Sequence, residues 1–376
     1  MKTEILPAIL LLALLPASPV LRCATAGEAV TSGGEKYSLN DGPHVLWQDD
    51  TTAVVFYYWK GELEEQVFIA ADTLTFQGFA WDSTAAYSIP VAAPSPDPMD
   101  FTGADSILAL SDIHGDFGSL REILVNSGVM DPLGGWTWGE GHLVINGDVF
   151  DRGPEVTECL WLVHQLEQQA ERAGGRVHYL LGNHELMVLR GDIRYVHERY
   201  LEGIAGPTRL NYEDLFGPET EFGRWLRTKP AALRIGGTLF VHGGIAPAGV
   251  MEYMTIPGMS GLTREYLELS TVSMQFHDAA RRLFGGLGPF WYRGYHYAME
   301  DYYERTASDQ IDDILDYYGV ERIVVGHSEV DGITALYGGR VMAIDVPVDD
   351  LGGQQALLIR DGNLYLVDND GSRRPI

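Results

Sequence analysis

The chain has 376 residues, 45% hydrophobic and 11% aromatic, with 26 Lys and Arg against 53 Asp and Glu and a formal net charge of −27. That mixture is too apolar for a disordered chain, two cysteines are too few for a disulfide scaffold, and the length gives one large or two smaller domains. The acidic excess argues against nucleic acid or an anionic membrane surface as partner, because both select basic faces.

Residues Ile5 to Leu21 are almost unbroken apolar, follow Lys2, and lead into Ala24-Thr25-Ala26, a small-residue cleavage site. The pattern predicts a signal peptide over 1–26 and export to the periplasm or medium. Pro7, Pro16 and Pro19, and a length barely able to span a bilayer, make an uncleaved membrane anchor the weaker reading. Arg22 spoils a lipidation box at Cys23. Cleavage would leave Cys159 as the only thiol; it sits in an apolar helical run and reads as a packing residue.

Residues 27–98 read as a small β module ending in a linker. Ala53 to Trp59 is β-branched and aromatic, Lys60-Gly61 is a turn, and Val67 to Ala70 and Leu74 to Phe79 follow. Pro90 to Pro98 holds four prolines in nine residues and predicts a stiff connection. From 99 to 376 the pattern changes to short apolar runs alternating with helical stretches. Ile107 to Leu110, Leu143 to Ile145, Val177 to Leu181, Thr238 to Val241 and Arg322 to Val325 predict strands. Leu120 to Val125, Glu155 to Ala173 and Gln310 to Tyr318 have helical periodicity. Such alternation predicts an α/β layered domain.

Each of those five strands runs directly into a polar turn. They lead in order to Asp112-x-His114, Gly147-Asp148-x-x-Asp151-Arg152-Gly153, Gly182-Asn183-His184-Glu185, His242-Gly243-Gly244 and Gly326-His327. In an α/β domain the carboxyl ends of adjacent strands face one crevice, so the five turns are expected to converge. Asp112, His114, Asp148, Asn183, His242 and His327 offer oxygen and imidazole donors without thiolate, a set suited to Mn, Fe or Zn. Two such ions about 3.5–4 Å apart can share a bridging water, lower its pKa and favour an in-line displacement. Singly each motif is weak, since Asp-x-His arises by chance and a lone His after a strand is commonly structural; the ordered set of five is what carries the reading.

On these motifs the chain resembles the calcineurin-like metallophosphoesterases, and within them the PPP-type protein phosphatases, over about Asp105 to Ile359. Gly288-Pro-Phe-Trp-Tyr-Arg-Gly294 and the β module before the catalytic domain make it most similar to the Shewanella-like branch, which includes exported bacterial enzymes active on phosphotyrosine. The resemblance implies a β-sandwich of two mixed sheets flanked by helices. It implies that Asp112 and His114 bind one metal, that Asp148 bridges, and that Asn183, His242 and His327 bind the second. Arg152 and Arg293 would clamp the phosphate, and His184, paired with Asp151, would be the general acid beside a metal-bridging hydroxide. Arginine forks suit phosphate oxygens, and an imidazole oriented by a carboxylate is a competent proton donor.

Ser111 stands where the family commonly has glycine, and the tyrosine-bearing C-terminal loop of eukaryotic Ser/Thr members is replaced by Tyr337-Gly338-Gly339-Arg340 and Ile344-Asp345-Val346-Pro347. Asp345 reads equally as a residue backing the ligands or as a turn residue. Tyr292 and His296, beside Arg293, are candidates for the pocket wall, with simple packing as the alternative for the aromatic residues there; a site flanked by Tyr292, Tyr295 and Trp291 could stack a phosphotyrosine ring. The expected substrate is a phosphorylated protein or peptide, with phosphotyrosine favoured. Two alternatives stand beside it: a nucleotide hydrolase of the diadenosine tetraphosphatase type, and a non-catalytic envelope metalloprotein.

Overall fold

The computed structural model describes residues 39–78, 86–208, 210–247, 254–300, 302–347 and 353–376. The expected signal peptide lies outside the described residues, as does Phe79. Among the described residues no helix is long and apolar enough to cross a membrane.

The N-terminal region is antiparallel. β1 (Asp41–Trp47), β2 (Thr52–Trp59) and β3 (Glu62–Ile69) form a meander, and β4 (Thr73–Gln77) pairs with β5 (Ala86–Pro90). Its inner face packs on α2 (Val156–Arg172): Tyr87 lies 4.5 Å from Trp161, centroid to centroid, and the Trp161 indole donates to Pro43 O at 2.8 Å. One contiguous buried cluster therefore runs from Val45, Tyr58 and Ile89 into the α/β region that follows. The proline-rich segment is tied down as well. Lys229, buried, pairs with Asp97 at 2.8 Å and with Glu167 of α2 at 2.6 Å.

Among the described residues twelve strands then build two six-stranded sheets. β6 (Asp100–Phe101) joins the first sheet, and β7 (Ser106–Leu110), β8 (His142–Ile145) and β9 (Arg176–Tyr179) run parallel in the second. β10 (Ala232–Ile235), β11 (Thr238–Val241), β12 (Arg322–Val325), β13 (Thr334–Leu336) and β14 (Val341–Ala343) complete the first, in the order β13-β14-β12-β11-β10-β6. β15 (Ala356–Arg360), β16 (Asn363–Val367) and β17 (Arg373–Pro375) complete the second, in the order β17-β16-β15-β7-β8-β9. Both sheets are mixed: β11 and β12 are parallel, whereas β10 meets β11 and β15 meets β7 antiparallel.

The strands read as continuous apolar runs because both faces are covered. With side chains alternating at a period of two, Ile107, Ala109, Val144, Phe240 and Val324 fill the space between the sheets. Their neighbours Leu108, Leu110, Leu143, Ile145, Val241 and Val325 point outward into the larger cluster, which also holds Leu120 and Ile123 of α1 (Phe117–Asn126) and Leu160 and Val163 of α2. Ser308–Tyr318, the third predicted helix, ends on Gly319 in the left-handed conformation at φ 63°. Cys159 is buried in α2, as its apolar surroundings predict.

Candidate metal centre

The five polar turns meet at one edge of the sandwich, at the carboxyl ends of β7, β8 and β9 in one sheet and of β11 and β12 in the other. The first turns continue the parallel ladder beyond its strands: Asp112 N–H donates to Gly147 O (3.1 Å), His114 N–H to Asp148 O (3.0 Å) and Gly115 N–H to Val149 O (2.9 Å). The other sheet is stitched on by Asn146, fully buried, whose amide donates to Val241 O at 3.3 Å. This main chain is strained. Asp112, His114, Asp148, Asp151, Arg152 and His327 all have φ between 48° and 70°, a region that costs on the order of 1–3 kcal/mol for each non-glycine residue.

The strain aims acceptors at one another. Nδ1 of His114 lies 2.7 Å from Phe150 O, and Nδ1 of His242 lies 2.8 Å from Asn146 O. A carbonyl oxygen only accepts, so each ring donates from Nδ1 and presents Nε2 inward. The Nε2 of His242 then faces Asp148 Oδ2 at 3.1 Å and Asn183 Oδ1 at 3.0 Å. The Nε2 of His114 is buried with no hydrogen-bond partner, 4.0 Å from both Asp112 Oδ1 and Asp148 Oδ2. In each carboxylate one oxygen is already held by a main-chain amide: Asp112 Oδ2 by His327 N–H (3.0 Å), Asp148 Oδ1 by His184 N–H (2.9 Å). The other oxygen faces the rings. Donor atoms of Asp148, His242 and His327 fall within 4.8 Å of one another, as do those of His114, Asp148 and His184, and Asp148 belongs to both groups. The Asp148 and Asp112 charges, which against burial push the His242 pKa up to about 10, favour a positive charge at this point, and the converging oxygen and imidazole donor set fits hard to borderline divalent metals.

His184 is of a different kind. Its Nδ1 lies 2.6 Å from Asp151 Oδ2, a carboxylate rather than a carbonyl. Burial works against a charged ring, but the Asp151 hydrogen bond and the Asp148 charge outweigh it and raise the His184 pKa. Of the two arginines, Arg152 is half-exposed with Nη1 3.4 Å from Glu329 Oε1. Arg293 donates from Nη1 to His327 O and, at 3.4 Å, to Ser328 Oγ. Arg293 thus borders the acceptor cluster, and Arg152 is near enough for its charge to act on His114. The structure brings together all ten of the residues that the motifs single out.

Two glycines are needed for close approach. A Cβ on Gly182 would sit 2.1 Å from Asp148 Oδ1, and one on Gly326 would sit 2.4 Å from Asp112 Oδ2 and 2.0 Å from Ser111 Oγ. The Ser111 hydroxyl donates to Asp112 Oδ2 at 2.6 Å.

The expectation for the flanking aromatics is corrected in part. Tyr292 and Tyr295 are buried, and their hydroxyls are engaged, with Thr306 Oγ1 at 2.7 Å and with Ile245 O at 3.0 Å. They pack beneath the turn that carries Arg293 and have no free face for a substrate ring. Trp291 remains half-buried, edge-on to His327 at 5.6 Å. His296 belongs to neither donor group; burial and Arg293 push its pKa down to about 4. Asp345 is buried, and burial with the nearby Asp112 charge pushes it up to about 9, so it backs the ligand cluster rather than serving as a solvated turn residue.

One organising residue carries no role in the sequence reading. Glu185, fully buried, accepts from the main-chain N–H of Asp148 (2.9 Å), Val149 (2.8 Å) and Gly182 (2.6 Å) and from the Tyr179 hydroxyl (2.8 Å). Burial and the Asp148 charge push its pKa up, and these donors hold it as the carboxylate. A signal was present: Glu three residues after the Gly182 N-cap of α3 (Asn183–Leu189) is the spacing at which a side chain reaches back to the cap amide.

The profile of the calcineurin-like phosphoesterases matches residues 106–331. The chain belongs to that family. Among its relatives, an uncharacterized protein of Schizosaccharomyces pombe is 31% identical over 259 residues, 67% of this chain and 76% of the relative. Shewanella-like protein phosphatase 2 of Arabidopsis thaliana is 28% identical over 292 residues, 65% of this chain and 72% of its own length. Among solved structures, the cold-active protein-tyrosine phosphatase of a psychrophilic Shewanella species superposes with a TM-score of 0.82 at 34% identity, covering 90% of this chain and 99% of that one. Family and site together make this calcineurin-like chain a metal-dependent phosphatase of the Shewanella-like type.

Proposed function

We propose that the protein is an exported phosphoprotein phosphatase that favours phosphotyrosine and works with two metal ions. The observation that carries the reading is Asp148, shared by two groups of converging acceptors, with the His184–Asp151 pair against it. In this reading Asp112, His114 and Asp148 hold one ion, and Asp148, Asn183, His242 and His327 hold the other. Bound there, Mn, Fe or Zn supplies Lewis-acid stabilisation of the charge that develops on the phosphoryl oxygens.

The remaining work belongs to the chain. Arg152 and Arg293 orient the phosphate, which requires Arg152 to exchange Glu329 for substrate oxygens; that surface pair is weak and easily exchanged. Water adds to phosphorus as the ester P–O bond breaks, the leaving oxygen takes the proton from Nε2 of His184, and the proton shed by the added water restores the charged ring for the next turnover. Asp151 holds the ring in that orientation and favours its charged form. The preference for phosphotyrosine draws on the 34% identical tyrosine phosphatase, and export rests on the apolar Ile5 to Leu21 segment.

The test is hydrolysis of p-nitrophenyl phosphate with and without added manganese, then of phosphotyrosine and phosphoserine peptides of equal charge and of diadenosine tetraphosphate. The proposal expects metal-dependent turnover, with phosphotyrosine ahead of the other substrates. A phosphoserine peptide or the dinucleotide ahead by about tenfold, some 1.4 kcal/mol in the barrier, would overturn the substrate while leaving the metal chemistry in place. Export is checked by the mass of the secreted chain, expected to begin near Gly27.

A further inference from the structure

With Tyr292 and Tyr295 buried, another ring takes the place at the site that they were expected to hold. Tyr195 lies in the turn between α3 and the helix Glu198–Thr208. Its side chain is 51% exposed, and its ring centroid is 5.3 Å from that of His184, tilted by 58°. Its carbonyl accepts the N–H of Arg152 at 2.8 Å. One residue thus touches both the proposed proton donor and the backbone of the proposed phosphate clamp.

The turn is held in place. Val196, the next residue, is buried, and its N–H donates to Ile193 O at 3.2 Å. Arg194 lies 5.7 Å from the Tyr195 centroid, and its own charge is matched by Asp192 at 2.7 Å. A singly exposed aromatic needs no explanation by itself; what counts is where this one stands. The leaving oxygen must reach His184, so whatever is bonded to that oxygen must lie beside the ring packed on His184. In phosphotyrosine that is an aromatic ring one bond away. In phosphoserine it is a methylene followed by the peptide backbone, with no plane to lay against a tyrosine.

We propose that Tyr195 is a specificity-determining residue, the platform on which the aromatic ring of a phosphotyrosine leaving group packs as His184 protonates its oxygen. The proposal rests on the phosphotyrosine reading above and on the position of His184 within it.

The experiment compares wild type, Tyr195→Phe and Tyr195→Ala on a phosphotyrosine peptide and a phosphoserine peptide of the same flanking sequence. Binding of phenylphosphonate and methylphosphonate to the metal-loaded enzyme is measured by calorimetry alongside. Loss of one aromatic contact together with its buried area should lower kcat/KM on phosphotyrosine about tenfold in Tyr195→Ala, mainly through KM, with a far smaller change on phosphoserine. Phenylphosphonate binding should weaken in parallel while methylphosphonate binding holds, and Tyr195→Phe should resemble wild type. Equal losses on both peptides would mean that the ring only positions His184, and would overturn the proposal. A loss confined to diadenosine tetraphosphate would overturn it in favour of base stacking. If wild type shows no phosphotyrosine preference and Tyr195→Ala still selectively weakens the aryl ligands, the platform stands and the substrate reading falls.

Discussion

Nδ1 of His184 lies 2.6 Å from Oδ2 of Asp151, and this contact sets His184 apart from the two rings whose Nδ1 faces a main-chain carbonyl. A carbonyl partner fixes the Nδ1 proton and leaves Nε2 as the inward-facing atom that a metal would take. A carboxylate partner favours the charged ring, suited to proton donation. In the proposed mechanism the same residue type takes two tasks, according to its second hydrogen bond.

From that difference, His184→Asn should slow turnover on alkyl phosphates by about 10²–10⁴-fold, the usual range for a general acid, while metal content stays unchanged. The loss should shrink on p-nitrophenyl phosphate, whose leaving group needs little protonation. Asp151→Asn should show the same substrate pattern in milder form. Equal losses across leaving groups would remove the proton-donor role.

Glu185 holds two motifs together without entering the acceptor cluster. Glu185→Gln keeps the shape but replaces one oxygen with a donor that faces N–H groups. It should therefore destabilise the fold by about 1–3 kcal/mol for each amide left unpaired and weaken metal binding by about 10–100-fold. Denaturant melts and metal titration check this. Wild-type stability in Glu185→Gln would contradict the hydrogen-bond count.

Much of the centre was legible because strand patterning and turn chemistry agree. Each apolar run of four or five residues ends in a turn that only Gly, Asp, Asn or His tolerates well, and the parallel order of β7, β8 and β9 then forces those turns together. Sequence reading placed no strand after Val325, yet among the described residues five follow it. β13 and β14 are three residues each, too short to show a period. β15 and β16 were readable, since Asp361-Gly362, with φ of 49° and 77°, is a two-residue hairpin signal between Arg360 and Asn363. Tyr292 and Tyr295 misled for another reason. Proximity in sequence to Arg293 does not reveal which side of a turn faces the core, and here both rings face inward.

Away from the centre, Glu158 on α2 is partly buried, its Oε2 buried and unpartnered, and desolvation together with the nearby Asp41 pushes it from its ordinary 4.5 up to about 8. The folded state therefore holds this proton more tightly than the unfolded chain. The resulting stability is fully present below about pH 4.5 and is lost as pH rises through about 8. Glu158→Gln should flatten the decline in melting temperature over that window. An unchanged slope would show that Glu158 is not the group responsible.

The central claim is that Asp148 is shared by two metal ions, and the most direct measurement is the metal content of purified wild type and Asp148→Asn, taken with p-nitrophenyl phosphate turnover on the same samples. Wild type is expected to carry two ions per chain, and Asp148→Asn to hold fewer and to be nearly inactive while remaining folded. An Asp148→Asn protein that keeps both ions and most of its activity would contradict the account.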